Sequence, residues 1–201
     1  GYVVNDREKE MLRAAYWDAE GRRTADTIAR SARVVAEKAG FSIPADKTFL
    51  IVPEERNGKQ HLFSTEKLGI VVAIFRYAGF DMALDIVRQI FETGGRGHSC
   101  GIYSFNDDHI HRLALMAPVS RIMVRQIQSR ANAGTFTNGM PMTSSMGCGI
   151  WGGNITNENI SLKHSMNVTW VSRPIPEDKP SEEELFGEFY QSATFDEVGV
   201  K

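Results

Sequence analysis

Residues Ile70-Val71-Val72-Ala73-Ile74-Phe75 form an almost uninterrupted apolar run. A strand with one wet face alternates apolar and polar side chains, so a run without a polar member needs cover on both faces. The residues that follow supply the pattern of such cover. Residues 80–92 read as an amphipathic helix with Ala83, Leu84, Val87, Ile90 and Phe91 on the face toward the sheet. Residues 99–105 read as the next strand. Asp107-Asp108 opens a further helix through His111, Leu113, Leu115 and Met116, and residues 121–124 read as a short strand. Strand, helix, strand, helix, strand predicts an α/β fold with a doubly wound, mostly parallel sheet.

Upstream, residues 6–17 have helical composition, with Met11, Leu12, Ala15 and Tyr16 at helical spacings and an acidic first turn. A second helix is expected over residues 24–38, with Ile28, Ala32, Val35 and Ala36 as its apolar stripe and Gly40 as its stop. Residues 48–52 read as a strand and 54–60 as a polar loop. Beyond Gly153 the chain turns polar, then strand-like at Val168-Thr169-Trp170-Val171, and acidic with a helical turn or two over residues 179–186. A catalytic-type domain is therefore expected over residues 1–153 and an arm with a tail over 154–201.

A formal charge of −2 gives no electrostatic reason to expect nucleic acid or an acidic membrane as partner. No apolar run approaches the roughly 18–20 residues that span a bilayer. Two cysteines are too few for a disulfide scaffold, so a reducing cytoplasm is the expected location. Residues 1–5 lack the charged start and long apolar stretch of a signal peptide, and no Met opens the chain. The beginning reads as an edge cut from a longer polypeptide.

Chemistry concentrates in three places. Gly147-Cys148-Gly149-Ile150-Trp151-Gly152-Gly153-Asn154 holds four glycines in eight residues, with a Trp as a flat apolar wall. Such glycines let the backbone approach a ligand or another strand closely. Gly94-Gly95-Arg96-Gly97-His98-Ser99 contains a G-x-G, but it closes a helix and leads into a strand. A dinucleotide fingerprint does the reverse, so a helix cap with a tight turn is the better reading. His98 in this loop is a candidate functional imidazole or a structural one. Glu66, in Glu66-Lys67-Leu68-Gly69, is a surface carboxylate or a ligand-binding one. Cys100 reads as an inert thiol in a strand, and Cys148 has no evident basic neighbour in sequence. Asp107, Asp108, His109 and His111 suit a solvated helix start, where acidic residues complement the dipole; no metal is expected. Arg121, Arg125 and Arg130 read as a solvated face, or as charge for an anionic substrate.

Taken together, these three segments resemble the CoA-acylating branch of the aldehyde dehydrogenase superfamily, over almost the whole chain but only the family's second half. The match is looser at Leu68-Gly69-Ile70, where the superfamily usually has Phe-Gly-Pro. The resemblance implies that Glu66 binds the nicotinamide-ribose hydroxyls of NAD or NADP. It implies that His98 lies near the reacting thioester, where an imidazole could accept the proton of the CoA thiol or orient it. Gly147, Gly149, Trp151 and Gly152 would line the mouth where nicotinamide and acyl-enzyme meet. The nucleophilic cysteine would lie upstream of Gly1, so neither Cys100 nor Cys148 matches it. The implied reaction converts a short-chain aldehyde and coenzyme A to acyl-CoA through a cysteine thioester. Sulfoacetaldehyde, succinate semialdehyde and acetaldehyde are the candidate substrates. A homodimer or higher oligomer would form through the C-terminal arm, with Val168-Val171 as the edge strand. Two alternatives stay open: a non-acylating aldehyde dehydrogenase, and a truncated chain serving as an interaction module.

Overall fold

The computed structural model describes residues 1–189. They divide into a compact unit, Gly1–Ser165, and a separate stretch that begins at Met166. In the first unit the named strands all pair in parallel. Strand β1 (Tyr2–Val3) pairs with β2 (Leu50–Glu54) as Tyr2↔Leu50 and Val3↔Ile51. β2 pairs in turn with β3 (Val71–Phe75), from Leu50↔Val71 to Glu54↔Phe75. A second sheet joins β4 (Cys100–Ile102) to β5 (Ile122–Val124), with Cys100 opposite Ile122.

The helices follow from local chemistry. α1 (Asp6–Tyr16) starts at a capping box, in which Asn5 Oδ1 accepts from the Glu8 N–H (2.9 Å) and Glu8 Oε2 from the Asn5 N–H (3.0 Å). α2 (Ala32–Ala39) begins eight residues later than the expected start at Thr24, because Thr24 is used otherwise. Its hydroxyl donates to the Ala15 carbonyl (2.6 Å), which ties the chain to the end of α1 and leaves only a 3₁₀ turn at Ala25–Thr27. α3 (Phe80–Thr93) and α4 (Asp107–Met116) match the expected amphipathic segments. Asn106 caps α4 by accepting from the Asp108 N–H (2.9 Å), and the His109 ring stacks on Phe80, so two of the four clustered residues serve the helix start.

Two cores result. Leu12, Tyr16 and Trp17 from α1 and its exit pack with Val35 and Ala36 of α2 against Leu50, Val52 and Val71. Leu84 and Phe91 of α3 pack with Leu113 of α4 and with Ala117 and Val119 before β5. Among the described residues the apolar run of β3 is covered on one face only: Val71 is 3% exposed, whereas Val72 and Ile74 are 47% and 45% exposed. Val3, in the same row as Val72 through Ile51, is 57% exposed as well.

From Met166 onward, residues 168–171 pair with no strand among the described residues, and Val168, Trp170 and Val171 are exposed. One short helix, α6 (Glu182–Phe186), follows, capped by Ser181, which accepts from the Glu184 N–H (3.2 Å). Among the described residues no helix is long and apolar enough to cross a membrane.

Candidate active-site loops

His98 enters β4 from a turn rich in glycine. Gly94 caps α3, its N–H bonding the Ile90 carbonyl (3.1 Å), as the cap reading of this loop expects. Gly97 takes φ +84°, and a Cβ there would overlap the carbonyl oxygen of Cys148. The 94–99 loop and the 147–153 loop are thus in backbone contact. Gly152 closes the same joint, since a Cβ on it would overlap Cys148 Cβ. Gly147 abuts Thr156 in the same manner, and Gly149 donates its N–H to the Thr156 carbonyl (2.9 Å). Of the two uses that the sequence leaves open for these glycines, close approach to a ligand or to another stretch of chain, the second is seen at Gly97, Gly147 and Gly152. Trp151 stays half exposed, its side chain on a 3₁₀ turn at Ile150–Gly152.

Arg121 holds these loops together. It is buried, at 5% exposure, which corrects the reading of a solvated arginine face at this position. Its Nε donates to Asn159 Oδ1 (2.6 Å), Nη1 to the His98 carbonyl (3.2 Å), and Nη2 to the Gly147 (2.9 Å) and Asn157 (3.1 Å) carbonyls. Burial lowers the guanidinium from its ordinary value, and the nearby Cys148 works in the other direction. Cys148 therefore does have a basic neighbour, one that comes from a distant part of the sequence. Arg125 and Arg130 are exposed; Arg125 donates to the Ser104 carbonyl (2.8 Å).

The His98 ring is itself engaged. Nδ1 lies 2.7 Å from Ser99 Oγ. Ser99 Oγ also accepts from Gln128 Nε2 (2.5 Å) and from Asn132 Nδ2 (3.0 Å). These amides stand four residues apart on α5 (Gln128–Ala131) and its cap, on one face of that turn. Asn132 is buried, and its carbonyl accepts from Asn159 Nδ2 (3.1 Å), which joins the group to Arg121. Cys100 is half buried, and burial pushes its thiol up to about 11, in keeping with an inert strand cysteine.

Glu66 lies apart, on the loop before β3, and its carboxylate is exposed. No hydrogen bond joins it to the His98 group among the described residues. The backbone on either side of it is fixed. Arg23 donates to the Lys67 carbonyl (2.8 Å), to the Tyr16 carbonyl (2.6 Å) and to Thr27 Oγ1 (2.8 Å), with its guanidinium 4.0 Å above the Tyr16 ring. Lys67 Nζ donates to the Phe63 (2.6 Å) and Thr65 (2.9 Å) carbonyls. Burial first, and the Arg23 charge second, lower the Lys67 ammonium to about 8. Arg23, Ser99, Gln128, Asn132 and Asn159 were not singled out as site residues by their sequence, and Arg121 was read there only as a solvated residue or as charge for a substrate. Their partners lie as many as 44 positions away, and no local pattern announces them.

No family model matches the chain. The frame nevertheless has counterparts among solved structures. An acetylating aldehyde dehydrogenase from Geobacillus thermoglucosidasius superposes with a TM-score of 0.78 at 29% identity, over 88% of this chain and 39% of that one. The chain is homologous to part of the acylating aldehyde dehydrogenases. More particularly, the sulfoacetaldehyde dehydrogenase of Acholeplasma sp. is 41% identical over 192 residues, which are 94% of this chain and 40% of that protein. The acylating sulfoacetaldehyde dehydrogenase of Bilophila wadsworthia is 37% identical over 194 residues, covering 94% and 42%. The chain spans about two fifths of the length of the curated relatives that it matches.

Proposed function

We propose that this chain is part of an acylating aldehyde dehydrogenase that converts sulfoacetaldehyde and coenzyme A to the acyl-CoA, with NAD or NADP as oxidant. One observation carries the reading: the His98 loop and the 147–153 loop are locked backbone to backbone and tied through Arg121, in a chain 41% identical to a sulfoacetaldehyde dehydrogenase. Two features fit the nucleotide. The Glu66 carboxylate is exposed on a backbone clamped from both sides, as an acceptor of two ribose hydroxyls needs to be. Trp151 offers a half-exposed flat wall beside the glycines. When bound, the nicotinamide supplies hydride acceptance. Glu66 then holds the ribose, and His98 addresses the acyl group during its transfer to the CoA thiol. The whole polypeptide works in the cytoplasm as a homo-oligomer, with residues 168–171 as the segment that meets a partner copy.

The test is an assay of the complete polypeptide against sulfoacetaldehyde, succinate semialdehyde and acetaldehyde, with each nucleotide, in the presence and absence of CoA. Highest kcat/KM for sulfoacetaldehyde, and acyl-CoA formed in step with reduced nucleotide, are expected. Reduced nucleotide formed at an equal rate without CoA, with the free acid as product, would mean a non-acylating enzyme.

A further inference from the structure

A hydroxyl group has one proton to give and two lone pairs with which to accept. Ser99 Oγ has three neighbours within hydrogen-bond distance: Gln128 Nε2 at 2.5 Å, Asn132 Nδ2 at 3.0 Å and His98 Nδ1 at 2.7 Å. Both amide nitrogens are donors and fill the lone pairs. The remaining capacity of Ser99 is its own proton, and the remaining partner is His98 Nδ1. We infer that Ser99, with its two lone pairs occupied by Gln128 and Asn132, donates to His98 Nδ1 and so fixes the neutral imidazole as the tautomer that carries its proton on Nε2.

The inference rests on the catalytic reading of His98 given above and narrows it. A ring with Nδ1 already accepting and Nε2 protonated presents a donor to the substrate. His98 then meets the acyl group as a hydrogen-bond donor to the thioester oxygen, and removal of the CoA thiol proton by Nε2 of that ring does not occur. Ser99 is a positioning residue in this scheme, since it acts through His98. The fold builds the device deliberately close: Gly101 on β4 leaves room for the Gln128 side chain, whose Cβ lies 3.0 Å from where a Cβ on Gly101 would stand. The Asn132 carbonyl is in turn bonded to Asn159, a partner of Arg121, so the amide pair shares the anchorage of the loops.

Selective 15N-histidine labelling of the complete polypeptide tests this directly, with the His98 resonances identified by their loss in His98→Gln. Two-bond 1H–15N correlation spectra at neutral pH should show His98 Nε2 as the protonated, pyrrole-like nitrogen and Nδ1 as the bare, pyridine-like one. Ser99→Ala should move both resonances toward a ring that exchanges between tautomers, and Ser99→Thr, which keeps the hydroxyl, should restore the wild-type pattern. Transfer of the acyl group to CoA should slow by roughly fivefold in Ser99→Ala, the worth of one ordinary hydrogen bond, and recover in Ser99→Thr. A proton found on Nδ1 in the wild type overturns the inference and means that one of the two amides, of Gln128 or of Asn132, turns its oxygen to Ser99. Unchanged resonances in Ser99→Ala overturn it also, and the wild-type spectrum decides alone if that variant does not fold. The spectra read the tautomer whether or not the enzyme is acylating, so failure of the functional reading and failure of this one are told apart.

Discussion

At the scale of single residues, Gly97 and Arg121 determine how the two loops meet. Gly97 has both a left-handed backbone (φ +84°) and no room for a side chain against the Cys148 carbonyl. Gly139 shares the first constraint (φ +68°) without the second, since nothing lies within 4 Å of a Cβ there. Gly97→Ala should therefore cost about 3 kcal/mol or more, overlap added to backbone strain, whereas Gly139→Ala should cost about 1 kcal/mol, strain alone. Denaturant melts of the two variants check this, and equal losses would show that the 94–99 and 147–153 loops are not in contact. The His98 and Gly147 segments were legible in the sequence because their residue types are unusual in combination. Arg121 was not. Beside an apolar strand it reads as any surface arginine, and its acceptors come from residues 98, 147, 157 and 159, which only the folded chain assembles.

At the scale of elements, α3 declared itself through the periodicity of its apolar stripe and β3 through its unbroken apolar run. The start of α2 did not, because Thr24 and Arg23 bond to the end of α1, and such tertiary bonds override local helical preference. The loop before β3 carries a testable charge. The Lys67 ammonium is lowered to about 8 from an ordinary 10.5, so between those values the unfolded chain binds more protons than the folded one. Stability contributed by this group thus rises as pH climbs from about 8 to 10.5 and is constant below, a gain of about 3 kcal/mol. Subtracting the pH–stability curve of Lys67→Met from that of the wild type should isolate the rise. Parallel curves would mean that the ammonium is solvated.

At the scale of the whole molecule, the two cysteines differ in their settings. Burial pushes Cys100 to about 11, and Cys148 is wedged between Gly97 and Gly152. Residues 1–201 expressed alone should produce no reduced nucleotide from aldehyde and CoA, in an assay where the complete polypeptide does; appreciable turnover would assign the nucleophile to one of these two thiols. Glu66 rides on the core built from α1, α2 and β2, while the loop of His98 adjoins the core built from α3 and α4, and the two cores have no buried residue in common. Fraying of the core beneath Glu66 therefore shares no buried side chain with the core beside His98. A lesion in either half should leave the other half's amides slow to exchange with deuterium.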